Sequence, residues 1–210
     1  FPLACISDQN GKLLAYTSGC SVFNRKHKEM LNGDTLNPGT SYNDFCNDIS
    51  PEYLLWQGSI FLPLPGHGDQ YYLMHLARDD EFGSPHRLYY TLIDTSLDKG
   101  LGGVVSKNNL VFQDSFLNNY VTATRHANGR DWWIIAMRNY RPHHYVWLLD
   151  PQGFHFQGLQ EIGAYSLHGL EAQVAFSADG SKFIKNWPSG LFIYDFDRCT
   201  GLLSNPVNIS

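Results

Sequence analysis

The chain alternates between short runs of β-branched and aromatic residues and polar turn motifs. Motifs such as Asn128-Gly129 and Asp179-Gly180 supply the residue types that tight turns prefer, and they recur at short intervals. The intervening runs have the length and composition of β-strands, and none shows a clear 3.6-residue apolar period. A single helical turn at 50–55 is the one exception. The pattern predicts an all-β sandwich, barrel or propeller, with strands near 13–17, 59–64, 71–77, 88–93, 121–125, 132–137, 145–149, 174–176 and 191–196.

Internal repeats favour the propeller among these folds. Residues 7–14 and 177–184 share the order Ser, acidic or amide turn residues, Gly, Lys and an apolar pair. Three aromatic-rich strands, at 89–94, 145–150 and 192–197, each end in Asp. These carboxylates can accept hydrogen bonds from the backbone of the following turn. The matches place equivalent strands in units of roughly 50 residues, the size of a four-stranded propeller blade.

We therefore predict one β-propeller segment of about four four-stranded blades. The blades span approximately residues 3–36, 57–116, 117–166 and 167–210, and a polar insertion covers 37–56. Four blades are few for a closed propeller, and each blade buries its faces against its neighbours. The segment is therefore expected to belong to a larger ring, whose remaining blades come from the same chain or another one.

Composition excludes several classes of partner. The chain has 210 residues, of which 43% are hydrophobic, enough for a proper core. A formal net charge of -5 disfavours nucleic acid and an anionic membrane surface as partners. No apolar run approaches the roughly 20 residues that span a bilayer. The chain begins at Phe1 without a basic or apolar leader, so we expect a mature or truncated product.

Four cysteines, at positions 5, 20, 46 and 199, lack the spacing of a zinc site. In an oxidising compartment Cys20 and Cys46 could form a disulfide across a polar, turn-rich stretch. The alternative is that these thiols stay free and buried. Cys5 and Cys199 could pair only if the fold brings the two ends of the chain together.

Several stretches together resemble one family of proteins. They are Ala4–Asp8, Leu14–Cys20, Asn32–Gly39, Leu92–Asp94 with Gly100–Gly102, His126–Trp133 and Tyr194–Gly201. In these stretches the chain is similar to the N-terminal half of large secreted Bacteroidetes proteins with a propeller-like domain. The turn at 176–182 is similar to the WD40-like repeat of periplasmic propellers. The resemblance implies a bacterial protein that is secreted or displayed at the cell surface, often through type IX secretion, and it implies no chemistry for particular residues.

The leading candidate for a ligand site is a polar string around the Asn-Gly turn at 128–129. Arg125, His126, Arg130 and Asp131 flank this turn, and the two arginines could bind a carboxylate or sulfate group of a glycan. The alternative is a tight hairpin turn, in which the flanking charges pair with each other and fix the register of the strands.

Metal and cofactor chemistry has less support. His126, His143, His144 and His155 are candidate ligands, but two adjacent histidines on a strand point to opposite faces and cannot share one ion. We predict no cofactor and no metal site, and leave open a weak calcium site within Asp34–Asp48. The sequence contains no G-x-S-x-G, H-E-x-x-H, phosphate-binding or dinucleotide fingerprint.

The repeat architecture, the supply of aromatic residues and the lack of a recognisable catalytic set make a non-enzymatic binding or scaffold module the leading functional prediction. Such a module would present propeller loops to a protein or glycan at the cell surface. The second hypothesis is a carbohydrate-active hydrolase or lyase with acid–base residues at the propeller mouth. The third is a structural subunit of a surface assembly. Five aromatic residues could stack on sugars, although most are expected in the core: Trp56, Tyr71, Tyr140, Trp147 and Trp187.

Overall fold

The computed structural model describes residues 4–47, 53, 55, 57–78, 85–114, 117–165, 173–187 and 190–209. Within these ranges the chain forms fifteen β-strands and two short helices, so the all-β prediction is confirmed. The chain divides into two compact units, Phe1–Ser115 and Phe116–Ser210, which are described separately. None of the described helices is long and apolar enough to cross a membrane.

The first unit contains two antiparallel sheets in which each strand pairs with the next one along the chain. The first sheet has the order β1-β2-β3, so three strands rather than the predicted four lie among its described residues. The second has the order β4-β5-β6-β7. The elements of this unit are β1 (Ala4–Ser7), β2 (Leu13–Thr17), β3 (Val22–Asn24), α1 (Thr40–Cys46), β4 (Ser59–Pro63), β5 (Gln70–Arg78), β6 (Pro85–Asp94), α2 (Leu97–Gly100) and β7 (Gly103–Gln113).

The second unit repeats this arrangement with two four-stranded antiparallel sheets, again in chain order. Large apolar side chains from both sheets form one core, which includes Tyr120, Trp133, Val146, Phe183 and Phe192. The strands are β8 (Leu117–Arg125), β9 (Trp132–Arg138), β10 (His143–Asp150), β11 (Gly153–Glu161), β12 (Gln173–Phe176), β13 (Lys182–Trp187), β14 (Gly190–Asp197) and β15 (Leu202–Ile209).

Aspartates at strand ends shape the turns. In each case the side-chain Oδ1 accepts a hydrogen bond from a backbone N–H two residues later, at 2.8–3.0 Å. This geometry closes the turn without another side chain, which is why Asp suits these positions. The predicted structural role of the repeated Asp residues is confirmed at Asp94, Asp150 and Asp197, and Asp8 and Asp179 form the same turn.

Cys20 and Cys46 form the predicted disulfide, which ties the end of α1 to the loop after β2. Helix α1 was not predicted, whereas the predicted helical turn at 50–55 lies mostly outside the described residues. In the stretch suggested for calcium, the Asp34 carboxylate binds the Lys107 ammonium at 2.8 Å. Among the residues that the structure describes, no group of three His, Cys, Asp or Glu side chains could hold a metal ion.

A buried histidine fixes the interior of the first unit. His75 has no exposed surface, and its Nδ1 lies 2.6 Å from Asn37 Oδ1. The Asn37 side-chain nitrogen donates to the Gly19 carbonyl, so the Asn37 oxygen must face His75. This oxygen can only accept, and His75 Nδ1 therefore carries the proton. His75 Nε2 then accepts from the Thr91 hydroxyl at 2.9 Å. Burial lowers the pKa of His75 to about 3, so the ring is neutral and both of its nitrogens have partners.

We expect loss of the disulfide to destabilise the first unit. The two cysteines are 26 residues apart, and releasing a loop of this length costs about 3 kcal/mol on the chain-entropy account. The double substitution Cys20→Ser/Cys46→Ser should therefore lower the urea midpoint, as measured by circular dichroism. The matched control is Cys5→Ser/Cys199→Ser, because those thiols are free and exposed. Equal midpoints for the two double variants would contradict the assignment.

Candidate functional site

The structure places the four predicted ligand-binding residues in one turn between β8 and β9. Arg130 Nε and Nη2 donate to the two Asp131 carboxylate oxygens at 2.7 and 3.0 Å. This pairing lowers the pKa of Asp131. Arg125 Nη1 donates to the Gly129 carbonyl at 2.9 Å and its guanidinium lies 4.4 Å from the Trp132 ring centre. His126 Nδ1 accepts from the backbone N–H of Asn128 at 3.0 Å.

These contacts fit the alternative interpretation, a turn whose flanking charges pair with each other. The one carboxylate hydrogen-bonded to Arg130, within the described residues, is that of Asp131. The four side chains are thus brought together, but their polar groups are largely occupied by the turn itself. A role of Arg125, His126, Arg130 and Asp131 in ligand binding stays a prediction.

Arg198 holds this turn against the next sheet, and sequence reasoning did not single it out. Its guanidinium donates to the carbonyls of Arg125, Asp179 and His126 at 2.8, 2.7 and 3.2 Å. Its own carbonyl accepts the indole N–H of Trp133 at 2.8 Å. Five donors in a planar fork allow one arginine to join three backbone segments. Arg198 is therefore an architectural residue of the second unit.

A second group of polar residues lies inside the second unit. Alternate residues of a strand face the same side, so Phe183, Lys185 and Trp187 of β13 all point into the core between the two sheets. Lys185 is paired with Phe192 across the β13–β14 ladder, and Phe183 is paired with Tyr194. Lys185 thus lies in the sheet among aromatic neighbours. Its side chain has no exposed surface.

The Lys185 ammonium is surrounded by aromatic faces. Its Nζ lies 3.6 Å from the ring centre of Trp187, 5.0 Å from that of Phe192 and 5.9 Å from that of Tyr194. Within the described part of the chain, Nζ makes no hydrogen bond. Desolvation disfavours the charged form and lowers the pKa of Lys185 to about 7. At neutral pH this amine is therefore present in both its charged and its neutral form.

Three further polar side chains surround Lys185, each with an atom that lacks a normal hydrogen bond in the described residues: His144, Trp187 and Tyr194. The His144 ring lies 5.4 Å from that of Tyr194, and burial lowers the pKa of His144 to about 3. The carbonyls of Pro142 and Gln160 lie close enough to His144 to oppose this shift, but not in hydrogen-bonding geometry. Burial raises the pKa of Tyr194 to about 12. We call Lys185, His144, Trp187 and Tyr194 the Lys185 cluster.

The Lys185 cluster and the His75 network differ in one physical respect. Buried polar groups in native proteins are nearly always hydrogen-bonded, and an exception needs an explanation such as a bound group or a catalytic role. His75 has both of its partners and needs no such explanation, whereas the Lys185 cluster leaves several buried groups without one. We therefore take the Lys185 cluster as the candidate functional site.

Sequence reasoning identified parts of this cluster but not the whole. His144 was a candidate ligand, and the prediction that His143 and His144 face opposite sides is confirmed, since His144 is buried and His143 Nε2 lies 3.6 Å from Glu161 Oε2. Trp187 was expected in the core and is 3% exposed. Lys185 itself was missed. Its only signal is the alternation of Phe183, Lys185 and Trp187, which places a lysine on the apolar face of a strand.

Comparison with known proteins identifies the fold. The sequence matches no known protein-family profile and no curated protein. The structure is similar to that of the periplasmic gluconolactonase PpgL of Pseudomonas aeruginosa, with a TM-score of 0.50 and 13% identity over 97% of this chain and 52% of that one. It is also similar to a putative 6-phosphogluconolactonase from Bacteroides uniformis, with a TM-score of 0.52 and 13% identity over 100% of this chain and 55% of that one.

These comparisons define the class as an all-β protein with a propeller-like fold. The chain spans about half the length of the two structures it matches. Both structures carry the names of enzymes, so the leading prediction of a non-enzymatic binding or scaffold module is wrong. That prediction rested on the lack of known catalytic motifs, and a site built from residues on separate strands need not contain one. The resemblance to secreted Bacteroidetes proteins stays a prediction.

Burial of Lys185 makes the stability of the protein depend on pH. As pH rises from 7 to 9 the folded state releases the Lys185 proton, whereas an unfolded lysine retains it up to its ordinary pKa of 10.5. The unfolded state then binds more protons, so the free energy of unfolding rises with pH by up to about 1.4 kcal/mol per unit. Above this window Tyr194 acts in the opposite direction, because its pKa is higher in the folded state.

Urea unfolding at pH 7, 8 and 9 tests this dependence. We expect Lys185→Met to remove the rise with pH and to increase stability at pH 7, because methionine fills the same space without a charge. The control is Lys182→Met on the same strand, where the lysine is half exposed and pairs with Asp195. Parallel pH profiles for the wild type and Lys185→Met would refute the lowered pKa.

Proposed function

We propose that this chain forms part of a propeller hydrolase that opens sugar-derived lactones, with the Lys185 cluster as its catalytic centre. The observation that carries this proposal is a fully buried lysine amine, among three aromatic rings, with no hydrogen-bond acceptor in the described residues; its burial lowers its pKa to about 7. A base whose pKa lies near the working pH is best suited to accept a proton during catalysis. The likeness of the fold to structures named as gluconolactonases supports the choice of substrate class.

The chemistry of lactone opening matches the groups in the cluster. A water molecule adds to the lactone carbonyl carbon, the ring C–O bond breaks, and the product is a hydroxy acid. Neutral Lys185 would accept one proton of the attacking water, and the departing ring oxygen would take up the other as it becomes a hydroxyl group, which leaves the new acid as a carboxylate. The Tyr194 hydroxyl and the Trp187 indole N–H would donate to the carbonyl oxygen as it becomes negative. His144 is neutral over the working range of pH and adds no competing positive charge.

The cluster is closed to solvent, so substrate entry requires a movement. Gly163, two residues after β11, lies close to Tyr194, since a Cβ added to it would lie 2.2 Å from the Tyr194 hydroxyl oxygen. Gly163 also has a φ of +94°, which a residue with a side chain adopts only with strain. Glycine at this position lets the backbone reach the hydroxyl. Displacing the backbone at Gly163 would open the cluster at Tyr194.

We further propose that more blades complete a larger ring and that the protein acts outside the cytoplasm. The first proposal is supported by the share of the two similar structures that the chain covers, 52% and 55%. The second is supported by the Cys20–Cys46 disulfide, because disulfides persist mainly in oxidising compartments. The periplasmic address in the name of one similar structure agrees with it.

We expect the purified protein to hydrolyse D-glucono-1,5-lactone faster than the spontaneous reaction. The rate of acid release, followed with a pH indicator, should rise as pH increases through about 7, where Lys185 loses its proton. Lys185→Met should lower kcat/KM by about 100-fold or more, the usual contribution of a positioned base. Tyr194→Phe should lower kcat while leaving the fold unchanged.

Lys182→Met is the matched control, because it removes an exposed ammonium from the same strand. Near-ultraviolet circular dichroism of each variant verifies that the aromatic core is intact. A wild-type rate equal to the spontaneous rate would refute the proposed function. Full activity of folded Lys185→Met would refute the role given to this residue.

A further inference from the structure

The Lys185 cluster contains an excess of hydrogen-bond donors. The Lys185 ammonium, the Trp187 indole N–H and the Tyr194 hydroxyl can all donate, and none has an acceptor in the described part of the chain. A neutral His144 ring adds one N–H. Donors without acceptors are the complement of a ligand that carries acceptors and negative charge.

Acidic side chains near the cluster point away from it or are engaged elsewhere. Asp195, the residue after Tyr194, faces the opposite side of β14 and pairs with Lys182 and Asn205. Glu161 lies at the end of β11 beside His143, on the other face of β10 from His144. The described residues thus provide the cluster with positive charge and no internal counter-ion.

We infer that the Lys185 cluster binds the carboxylate of a sugar acid, held by Lys185 and by the neighbouring donors Tyr194 and Trp187. The negative charge of this ligand follows from the donors alone. Its sugar portion rests on the proposed function, because lactone opening converts a neutral ring into a carboxylate. Lactone hydrolysis also leaves Lys185 protonated, so the product carboxylate and the Lys185 ammonium would carry opposite charges at the end of the reaction.

Binding of this kind should weaken as pH rises. The titratable groups that face Lys185 are His144 from β10 and Tyr194 from β14, and Tyr120 from β8 interacts in turn with Tyr194. Between pH 6 and 9 His144 is neutral, because burial lowers its pKa to about 3. Both tyrosines also stay neutral, because burial raises their pKa values. Lys185 is therefore the group of the cluster whose charge changes in this range.

Thermal unfolding in sodium D-gluconate tests the inference without any turnover. The same ionic strength of sodium chloride and the neutral polyol sorbitol serve as controls. At about ten times the dissociation constant we expect gluconate to raise the melting temperature of the wild type by about 3 °C at pH 6. At pH 9 the increase should be less than half as large.

Variants assign this effect to the cluster. Lys185→Met should show no gluconate-specific increase at either pH, whereas Lys182→Met should behave like the wild type. Tyr194→Phe should show a smaller increase, because it removes one donor and keeps the ring. No specific increase in the wild type would overturn the inference, and so would an increase that persists in Lys185→Met.

The result is separable from that of the activity assay. Gluconate binding that depends on Lys185, in a protein that does not open lactones, would support this inference and refute the proposed function. Lactone hydrolysis by a protein that shows no Lys185-dependent binding of gluconate would support the proposed function and refute this inference.

Discussion

A polar group buried in the interior of a protein loses its hydration and must find partners there, and this constraint acts in both units of the chain. In the first unit His75 satisfies it, since Asn37 and Thr91 bind both ring nitrogens and connect three parts of the chain. In the second unit Lys185 satisfies it only in part. Aromatic faces stabilise the ammonium by roughly 2 kcal/mol when it is desolvated, but they cannot accept its hydrogen bonds. This difference separates an architectural residue from a candidate functional one.

Features set by neighbours in sequence could be predicted. Nine of the fifteen described strands and the Asp turns follow from local composition and spacing, whereas β1, β3, β7, β11, β13 and β15 were not among the predicted strands. Helix α1 could not be predicted, because its seven residues lack an apolar period and Gly39 before it offers no side-chain cap. Its last residue, Cys46, is instead joined by a disulfide to a residue 26 positions away.

The candidate site was harder to predict than the fold because its parts lie on different strands. His144, Lys185 and Tyr194 belong to β10, β13 and β14, and they meet because the sheet that contains β10 packs against the sheet that contains β13 and β14. The opposite happened at the turn around Asn128, where adjacent charges suggested a binding site and the structure shows them bonded to each other. Charges that are close in sequence can satisfy one another locally. Polar groups that meet only through tertiary packing are far apart in the sequence, so their proximity cannot be predicted from it.

The burial that destabilises Lys185 is also what would make it useful. A low-dielectric environment lowers the pKa of the amine into the neutral range, and the same environment strengthens its attraction to a carboxylate once it is protonated. Exchange of Lys185 for an apolar residue would remove both properties while improving the packing of the aromatic core. An apolar side chain would stabilise the fold more than an amine in this position. The other two core-facing residues of β13 are Phe183 and Trp187, which are both large and aromatic. The cost in stability and the proposed chemistry therefore have one physical origin.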